Sequence, residues 1–405
     1  MHILVLDSIH GGTEIGGAFR NAGHTVDIVD VYRGTTPDLH AAAGSRTYDL
    51  IVAPVHLDPD HPLMRHGRVP VISHHEAVRQ LLPPRLPGPM VEITGARGKT
   101  TTAHALAHIL GGTGILHTST GTLSFPSRDL LWKRSITPAS VLPAVAEACH
   151  AGGWLIAEES LGVTGAGDLA IITSAEDYRF AGGKKSAVAA KIASAARAKR
   201  VLVAEGIPCN AENFIPVSDL VHCEDEGCTV AADGKEYEIK NPLFSLPPYQ
   251  MPLMLAAAAA VFLDHDPSPL ASFAALPGRM AVSREGDVVI VDNANSGTNA
   301  ETTVYASRYA RRIATGGDLT LVIGQAEGDG AVCEGFMPDQ VARTIATVNP
   351  SRVIWVGRPP GTDDPAYRSI RARIDAVSPT LEAGRAAALD LTRAGAIVLA
   401  VKTWR

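Results

Sequence analysis

The sequence predicts an α/β protein of three domains, and three observations support that class. Short runs of apolar and β-branched residues alternate with stretches of helical periodicity along most of the chain. Two proline-rich segments interrupt this alternation and predict boundaries near residues 88 and 277. A glycine-rich loop stands between a predicted strand and a predicted helix at residues 95–98. With 405 residues, the chain also exceeds what one hydrophobic core usually organises.

The first predicted domain, residues 1–88, is a small α/β domain. Its predicted elements are strands at 3–6, 25–29, 50–53 and 69–72 and a helix at 14–22. The segment from Leu81 to Pro89 contains four prolines and a glycine, which exclude regular structure and indicate a linker.

The second predicted domain, residues 89–277, opens with a strand at 90–94, the glycine loop and an amphipathic helix. Later elements are strands at 154–157, 169–173 and 201–204, helices at 139–150, 185–198 and 253–263, and hairpin strands within 221–239. This order predicts a mainly parallel sheet covered on both faces, a nucleotide-binding core. A second linker is predicted at 264–277.

The third predicted domain, residues 278–405, repeats the α/β alternation and should be Rossmann-like. Its predicted strands are 288–291, 320–323, 353–356 and 396–401.

Composition excludes several function classes. Charged residues make up 19% of the chain and the formal net charge is -6, so nucleic acid is not an expected partner. The N-terminal residues lead directly into a strand pattern without the features of a signal peptide. The longest apolar stretch, from Met251 to Leu263, is too short to cross a bilayer. We therefore expect a cytoplasmic protein without a membrane span.

The five cysteines predict reduced thiols, because their number is odd and a chain of this size is stable without disulfides. Cys223 and Cys228 form the only close pair. With His222 they make a zinc site conceivable, but residues 224–227 resemble a hairpin turn and the spacing is not that of a zinc knuckle.

The strongest chemical signal is the loop Gly95-Ala96-Arg97-Gly98-Lys99-Thr100. Amides of such a loop at a helix N-terminus surround phosphate oxygens, because glycine permits close approach and the helix dipole favours an anion. Lys99 can reach the outer phosphates and the Thr100 hydroxyl can bind magnesium. A plain turn is the alternative, but a turn does not require Lys-Thr-Thr-Thr at the start of a helix. Only two residues separate the two glycines, whereas the common phosphate loop has four.

This shorter loop, within residues 93–102, resembles the ATP loop of the Mur ligase superfamily. Ile136-Thr137-Pro138 before a helix and Glu158-Glu159-Ser160 after a strand follow in the order of that family. The resemblance implies that ATP is bound by Gly95, Ala96, Arg97, Gly98, Lys99, Thr100 and Thr101. It also implies that Thr100 and Glu158 bind Mg²⁺, because a carboxylate at the end of a parallel strand can hold the metal beside the phosphates. A solvated charge at a strand end is the alternative for Glu158.

Asp177 and Lys191 fall near two further positions of the superfamily, an acidic metal-binding motif and a lysine that is often carbamylated. Tyr178 stands where the family has histidine, and the interval from Asp177 to Lys191 is shorter than the family's. The resemblance implies that Asp177 is a metal ligand and that Lys191 carries a carbamate. A lysine on an exposed helix face is the alternative.

The entry into the third domain carries three predicted nucleotide contacts. Arg279, in Leu276-Pro277-Gly278-Arg279-Met280, resembles an arginine that reaches the nucleotide in the superfamily. Asp292 stands where the peptide ligases have a strand-end aspartate, which implies a bond to ribose. Asn295 and Gly297 replace the histidine and proline of those ligases, so Asn295 is the predicted contact there and nucleotide packing must differ.

His10-Gly11-Gly12 follows the first predicted strand, where a Gly-Gly turn before a helix can bind a substrate carboxylate. A plain turn capped by Thr13 is the alternative. Together with the short first domain and residues 158–162 and 292–297, this loop resembles the methanogen Mur-type ligases that complete coenzyme F-430. The resemblance implies a nickel-containing tetrapyrrole as small-molecule substrate. ATP would phosphorylate its propionate, a ring carbon would attack the acyl phosphate, and the catalytic residues would be Lys99, Glu158, Lys191 and Arg279.

Two other functions stay open from sequence. An amide-forming ligase would join an amino acid to a cell-wall or folate-like acceptor. A phosphate-loop NTPase acting as a switch would use Glu158 to position water. Histidines 56, 61, 66, 74 and 75 could contact a metal-containing substrate, although scattered surface histidines are more common.

Overall fold

The chain forms two compact units, Met1–Phe273 and Ala274–Arg405. The structure, a computed structural model, describes residues 1–65, 68–209, 211–232, 234–314, 316–326, 336–359 and 365–403. The predicted boundary near residue 277 lies close to this division, whereas the boundary near residue 88 lies inside the first unit. The three-domain boundaries stay a prediction. No helix in the described ranges is long and apolar enough to cross a membrane.

The first unit begins with a parallel four-stranded sheet in the order β2-β1-β3-β4. Its elements are β1 (His2–Leu6), α1 (Gly12–Asn21), β2 (Thr25–Val29), α2 (Pro37–Ala43), β3 (Leu50–Ala53), β4 (Val71–Ser73) and α3 (His74–Leu81). Alternation along β1 places Ile3 and Val5 in one apolar cluster and Leu4 and Leu6 in another. The first cluster continues through Val141 and Leu155, so residues 1–88 share a core with the elements that follow.

The central sheet has eight strands in the order β14-β13-β10-β5-β9-β6-β7-β8. Its strands are β5 (Met90–Thr94), β6 (Gly114–Thr118), β7 (Gly121–Phe125), β8 (Asp129–Trp132), β9 (Trp154–Glu158), β10 (Leu169–Ile172), β13 (Val201–Val203) and β14 (Phe214–Pro216). A two-stranded ribbon, β11 (Arg179–Phe180) with β12 (Lys185–Ser186), lies between β10 and β13 in sequence. The helices of this region are α4 (Lys99–Leu110), α5 (Val141–Ala151) and α6 (Ala187–Ala195). All pairings in the eight-stranded sheet except those of β7 are parallel, which confirms the predicted parallel core.

The predicted helix at 185–198 is shorter in the structure, and its start has a physical cause. Lys185 and Ser186 pair with the strand at 179–180, and the Ser186 hydroxyl then accepts the amide of Ala189 as an N-cap. A side-chain cap at 186 starts the helix at Ala187. The predicted helix at 253–263 starts earlier, as α7 (Pro247–Phe262), because prolines fit the first helical turn.

In a small antiparallel sheet, one pair of cysteines contradicts the prediction of reduced thiols. It consists of β15 (Val221–Glu224), β16 (Gly227–Ala232) and β17 (Lys235–Lys240). Cys223 lies directly opposite Cys228 across the first hairpin, and the two form a disulfide. This pairing also rules out the conceivable zinc site with His222. Cys149 and Cys209 are free thiols, and Cys333 lies outside the described residues.

The second unit contains a six-stranded sheet in the order β18-β19-β23-β20-β21-β22. Its elements are β18 (Ala281–Glu285), β19 (Val288–Asp292), α8 (Ala300–Ile313), β20 (Asp318–Gln325), α9 (Pro338–Val348), β21 (Arg352–Val356), α10 (Pro365–Ile370), β22 (Ala376–Ser378), α11 (Leu381–Leu391) and β23 (Gly395–Lys402). The edge strand β18 is antiparallel and the other pairings are parallel. The predicted α/β alternation of this region is confirmed.

Candidate active site

The glycine loop joins β5 to α4, as predicted, and its backbone requires glycine. Gly95 and Gly98 have φ angles of 153° and 87°. A Cβ on Gly95 would lie 2.0 Å from Thr173 Oγ1, which leaves no room for a side chain. Because α4 begins at Lys99, its first amides have no partner within the helix and can bind an anion.

Two residues that the sequence reasoning missed hold this loop in place. Thr173 Oγ1 donates to Arg97 O at 2.5 Å. Ser174 Oγ accepts the amides of Ala96 at 2.9 Å and Arg97 at 3.3 Å. Both residues follow β10, which is the parallel neighbour of β5. Their position at the end of a predicted parallel strand could have identified them, because the C-terminal ends of adjacent parallel strands lie at the same edge of the sheet.

Lys99, Thr100 and Glu158 converge at the same edge. Thr100 Oγ1 donates to Glu158 Oε2 at 2.8 Å, and the Ser119 amide donates to the same oxygen at 3.1 Å. Lys99 Nζ lies 3.7 Å from Glu158 Oε1 and donates to Gly95 O. Glu158 is only 2% exposed, so a solvated strand-end charge does not describe it. The Thr100 hydroxyl and Glu158 carboxylate are hard oxygen donors, the kind that suits Mg²⁺.

Glu159, the neighbouring carboxyl group, has a different character. It is fully buried, and burial together with the nearby Glu92 raises its pKa well above the usual value. Glu92 Oε1 accepts Thr164 N at 2.8 Å and its Oε2 accepts Gly167 N at 2.8 Å, so backbone amides hold this carboxyl group in place. The raised pKa favours the neutral form of Glu159.

Lys191 lies on α6 and is buried, so the alternative of an exposed helix face is wrong. Only 1% of the residue is exposed, and Nζ has no hydrogen-bond partner among the described residues. Nζ lies 5.2 Å from the centre of the Tyr178 ring. Burial, reinforced by the charge of Lys99, lowers the pKa of Lys191 to about 8. An amine in this environment is more often neutral than an ordinary lysine.

Asp177 is exposed and caps α6. Its Oδ1 accepts the Ser186 hydroxyl at 2.9 Å and the Val188 amide at 3.0 Å, and these bonds lower its pKa. Among the described residues, no hydrogen bond or ion pair joins Asp177 to Thr100 or Glu158. Arg97 forms an ion pair with Glu176 beside it. The structure thus gives Asp177 a capping role, and its role as a metal ligand stays a prediction.

The loop after β1 packs on the segment at residues 137–139. Gly11 has a φ of 94°, and a Cβ there would lie 2.4 Å from Ala139 Cβ. A Cβ on Gly12 would lie 1.6 Å from Asp7 O. The Thr13 hydroxyl donates to Ser8 O, whereas Gly11 is the N-cap residue, so the alternative of a turn capped by Thr13 is wrong. Both glycines are required by close packing, and carboxylate binding at His10, Gly11 and Gly12 stays a prediction.

Of the five histidines that the sequence singles out, 56, 61, 66, 74 and 75, those in the described residues lie in loops and on α3 and have different roles. His74 Nε2 bonds Leu6 O at 3.0 Å and His75 Nε2 bonds Ser160 O at 3.1 Å. Burial lowers the pKa of both rings, to about 4 and about 3, so they are neutral structural groups. His61 Nδ1 accepts the Leu63 amide, and His56 lies beside His10. His66 lies outside the described residues.

In the second unit, the predicted nucleotide contacts lie together around the end of β19. Asp292 Oδ2 accepts Gly278 N and its Oδ1 accepts Ala294 N, both at 3.1 Å. Asn295 Nδ2 donates to Gly278 O at 2.6 Å, and the Arg279 amide donates to Leu276 O. Asp292 and Asn295 therefore shape this turn. Their nucleotide contacts, and that of Arg279, stay predictions.

Comparisons with known proteins identify relatives of this chain. A family model described as coenzyme F430 synthetase CfbE, C-terminal domain, matches residues 282–403. A protein of Methanosarcina acetivorans named coenzyme F(430) synthetase is 31% identical over 408 residues, covering 84% of this chain and 86% of that protein. A protein of Methanocaldococcus jannaschii with the same name is 24% identical, covering 88% and 90%.

A solved structure extends the comparison to the fold. The crystal structure of MurF ligase from Thermotoga maritima in complex with ADP matches with a TM-score of 0.51 and 15% identity, covering 91% of this chain and 88% of that one. At this level of sequence identity, the similarity shows a shared fold and nothing about function. The predicted Mur-type fold is confirmed, and the chain belongs to the coenzyme F(430) synthetase family.

Proposed function

We propose that this chain uses ATP to activate a propionate of a nickel seco-tetrapyrrole and closes a ring on the macrocycle, which yields coenzyme F-430, ADP and phosphate. The observation that carries the ATP-dependent step is the convergence of Lys99, Thr100 and Glu158 at the glycine loop. The names of the family members support the tetrapyrrole product. The ADP in the solved Mur-type structure supports the nucleotide.

In the first step, a carboxylate oxygen of the substrate attacks the γ-phosphorus of ATP, and the bond to the bridging oxygen of ADP breaks. Gly95 and Gly98 let the backbone approach the phosphates, and the first amides of α4 point at the anion. Lys99 neutralises charge on the transferring phosphoryl group. Mg²⁺ held by Thr100 and Glu158 would supply further charge neutralisation and orient the phosphates.

In the second step, a carbon of the same macrocycle attacks the acyl carbon, loses its proton and displaces phosphate. Because the nucleophile belongs to the substrate, the reaction requires no amino-acid pocket. The replacement of the peptide ligases' histidine and proline by Asn295 and Gly297 agrees with this. The contribution of the protein is to position the two reacting groups and exclude water from the acyl phosphate.

ADP formation with a panel of substrates tests this proposal. The panel contains nickel seco-tetrapyrrole, its propionate methyl ester, a muramoyl peptide with an amino acid, a folate with glutamate, and no substrate. We expect ADP only with the free propionate, together with a product one water lighter than the substrate by mass spectrometry. The variant Lys99→Ala, checked for folding by circular dichroism, is the control for adventitious ATPase activity.

The other outcomes identify the alternatives. ADP that requires an amino acid and an acceptor would identify an amide-forming ligase. ADP formed at the same rate without any carboxylate would identify an NTPase switch. Either result would overturn the cyclisation proposal.

A further inference from the structure

Three loops meet at the C-terminal edge of the first sheet. His10 follows β1, Tyr32 follows β2 and His56 follows β3. The strand order β2-β1-β3-β4 reverses direction between β1 and β3, and ligands of open parallel sheets bind in the crevice at such a point. His10 and His56 follow the two strands that border it.

Asp7 and His10 form an oriented carboxylate–imidazole pair. Asp7 Oδ2 lies 2.6 Å from His10 Nδ1, and Asp7 Oδ1 accepts the Ile9 amide at 2.7 Å. Asp7 is completely buried, whereas the His10 side chain is 45% exposed. A buried carboxylate bonded to one ring nitrogen fixes the tautomer and leaves Nε2 as the basic nitrogen. The pair therefore leaves His10 Nε2 able to bind a metal while the buried Asp7 holds the ring.

His56 supplies a second imidazole. Its ring centroid lies 4.7 Å from that of His10, with the planes at 83°, and 5.4 Å from that of Tyr32, with the planes at 22°. His56 Nε2 is buried and has no hydrogen-bond partner within the described ranges. Asp7, His10 and His56 each offer one ligand atom, and these atoms lie within 4.8 Å of one another. A buried ring nitrogen without a partner costs free energy unless something binds it.

The loop that carries His56 is fixed to the segment that leads into α6. Lys184 Nζ contacts Asp58 Oδ1 at 2.6 Å and Asp60 Oδ2 at 2.5 Å, and Lys185 Nζ donates to Val55 O at 2.9 Å. Both lysines directly precede α6, the helix of Lys191. The His56 loop is therefore held against the part of the chain that carries the buried lysine.

We propose that Asp7, His10 and His56 bind a divalent first-row transition-metal centre, with the two imidazoles as ligands and Asp7 orienting His10. Imidazole nitrogen suits nickel, cobalt, copper and zinc. The metal can arrive in two ways, as a free ion or already held by an organic macrocycle. The second possibility rests on the proposed function. In that case the histidines would bind the metal of the tetrapyrrole and so orient the macrocycle.

The free-ion arm uses untagged protein and titrates Co²⁺ and Ni²⁺ by calorimetry and visible spectroscopy. The macrocycle arm compares nickel(II) uroporphyrin with metal-free uroporphyrin. Each arm uses wild type, His10→Ala, His56→Ala, Asp7→Asn and the matched control His40→Ala. The ring centroids of His40 and His61 lie 5.8 Å apart. Among the described residues, this histidine pair belongs to no group of side chains that could hold a metal ion.

A free-ion site predicts cobalt ligand-field bands that are lost in His10→Ala and His56→Ala and kept in His40→Ala. A substrate-metal site predicts tighter binding of the nickel than of the metal-free macrocycle, with a visible shift that requires His56. Asp7→Asn should weaken either interaction about 10- to 100-fold, as expected for loss of a carboxylate that orients a ligand. Asparagine tolerates the φ of 83° at position 7, so this variant also tests the site if an alanine variant fails to fold.

The inference is overturned if neither ion binds and the nickel macrocycle binds no more tightly than the metal-free one. It is equally overturned if His40→Ala loses binding as His56→Ala does. ADP formation from the seco-tetrapyrrole is measured in parallel with a wild-type preparation. If ADP forms but neither the free ions nor the nickel macrocycle bind through these histidines, the metal site is rejected and the proposed function stands. If a metal binds but no ADP forms, the metal site stands and the proposed function is rejected.

Discussion

The buried lysine on α6 makes a quantitative prediction about chemical modification. A pKa of about 8 at pH 7 leaves roughly one amine in ten unprotonated, against roughly one in 3,000 for an ordinary lysine with a pKa of 10.5. Carbon dioxide reacts only with the unprotonated amine, so burial increases the reactive fraction of Lys191 about 300-fold. We therefore expect a carbamate on Lys191 whose occupancy falls as the pH falls below about 8.

Two measurements test this expectation. Protein equilibrated with ¹³C-bicarbonate should show a carbamate carbonyl signal that is absent from Lys191→Ala and present in Lys199→Ala, whose lysine is exposed and paired with Asp168. ADP formation should fall at least about 10-fold in Lys191→Ala or after removal of dissolved carbon dioxide, as is usual when a group that supports a metal site is lost. Acetate or formate should partly restore the activity of the alanine variant.

Two results would contradict a functional carbamate on Lys191. Full activity of Lys191→Ala, with turnover independent of bicarbonate, would show that the buried amine plays no part in the reaction. A carbonyl signal that persists in Lys191→Ala but disappears in Lys199→Ala would place the modification on the exposed lysine instead.

Four further predictions concern neighbouring groups. Lys99→Ala should abolish ADP formation with unchanged circular dichroism, because Lys99 neutralises phosphate and supports no core; near-normal turnover would reject the phosphate-loop assignment. Glu158→Gln should raise the half-saturating magnesium concentration more than the KM for ATP, because an anionic ligand is lost; an unchanged magnesium titration would move the ligand elsewhere. Glu159→Gln, the matched control, should leave that titration unchanged, because the raised pKa of Glu159 favours a neutral carboxyl group. The same variant should raise the melting temperature more at pH 8 than at pH 5. Because the folded-state pKa of Glu159 is raised, the wild-type protein loses stability as the pH rises above the usual pKa of glutamate, and glutamine removes this loss. An equal gain in melting temperature at both pH values would contradict this.

The fold was largely predictable because its elements follow local rules. The predicted strands at 25–29, 50–53 and 90–94 agree with the structure residue for residue, since short apolar runs bounded by turns identify buried parallel strands. The strands β6, β7 and β8 were not predicted from sequence. Long-range pairing positions them, with β7 antiparallel to both neighbours, and no single-sequence periodicity reports such pairing.

The candidate site was predictable only where side chains are neighbours in sequence or end adjacent strands. The sequence predicts Thr100 and Glu158 as metal ligands, and a hydrogen bond joins their side chains in the structure. The roles of Thr173, Ser174 and Ser119 were missed, because short polar residues at strand ends are common and only the register shows which of them contact the loop. Burial of Lys191 could not be predicted either, since it lies near Lys184 and Lys185 in a segment that reads as an exposed helix face.

The charges around the loop explain why the chemical state of Lys191 matters. With an ordinary amine, Lys191 would be a second cation that Lys99 repels, and the carboxylates of Asp177 and Glu176 offset this only in part, because its pKa stays lowered. The expected carbamate would convert Lys191 into an anion, which is the kind of oxygen ligand that suits Mg²⁺. Lys99 then remains available for the phosphates of ATP, whose charge it must offset during transfer. The burial that destabilises a protonated Lys191 therefore favours the state in which the site is best matched to Mg²⁺ and ATP together.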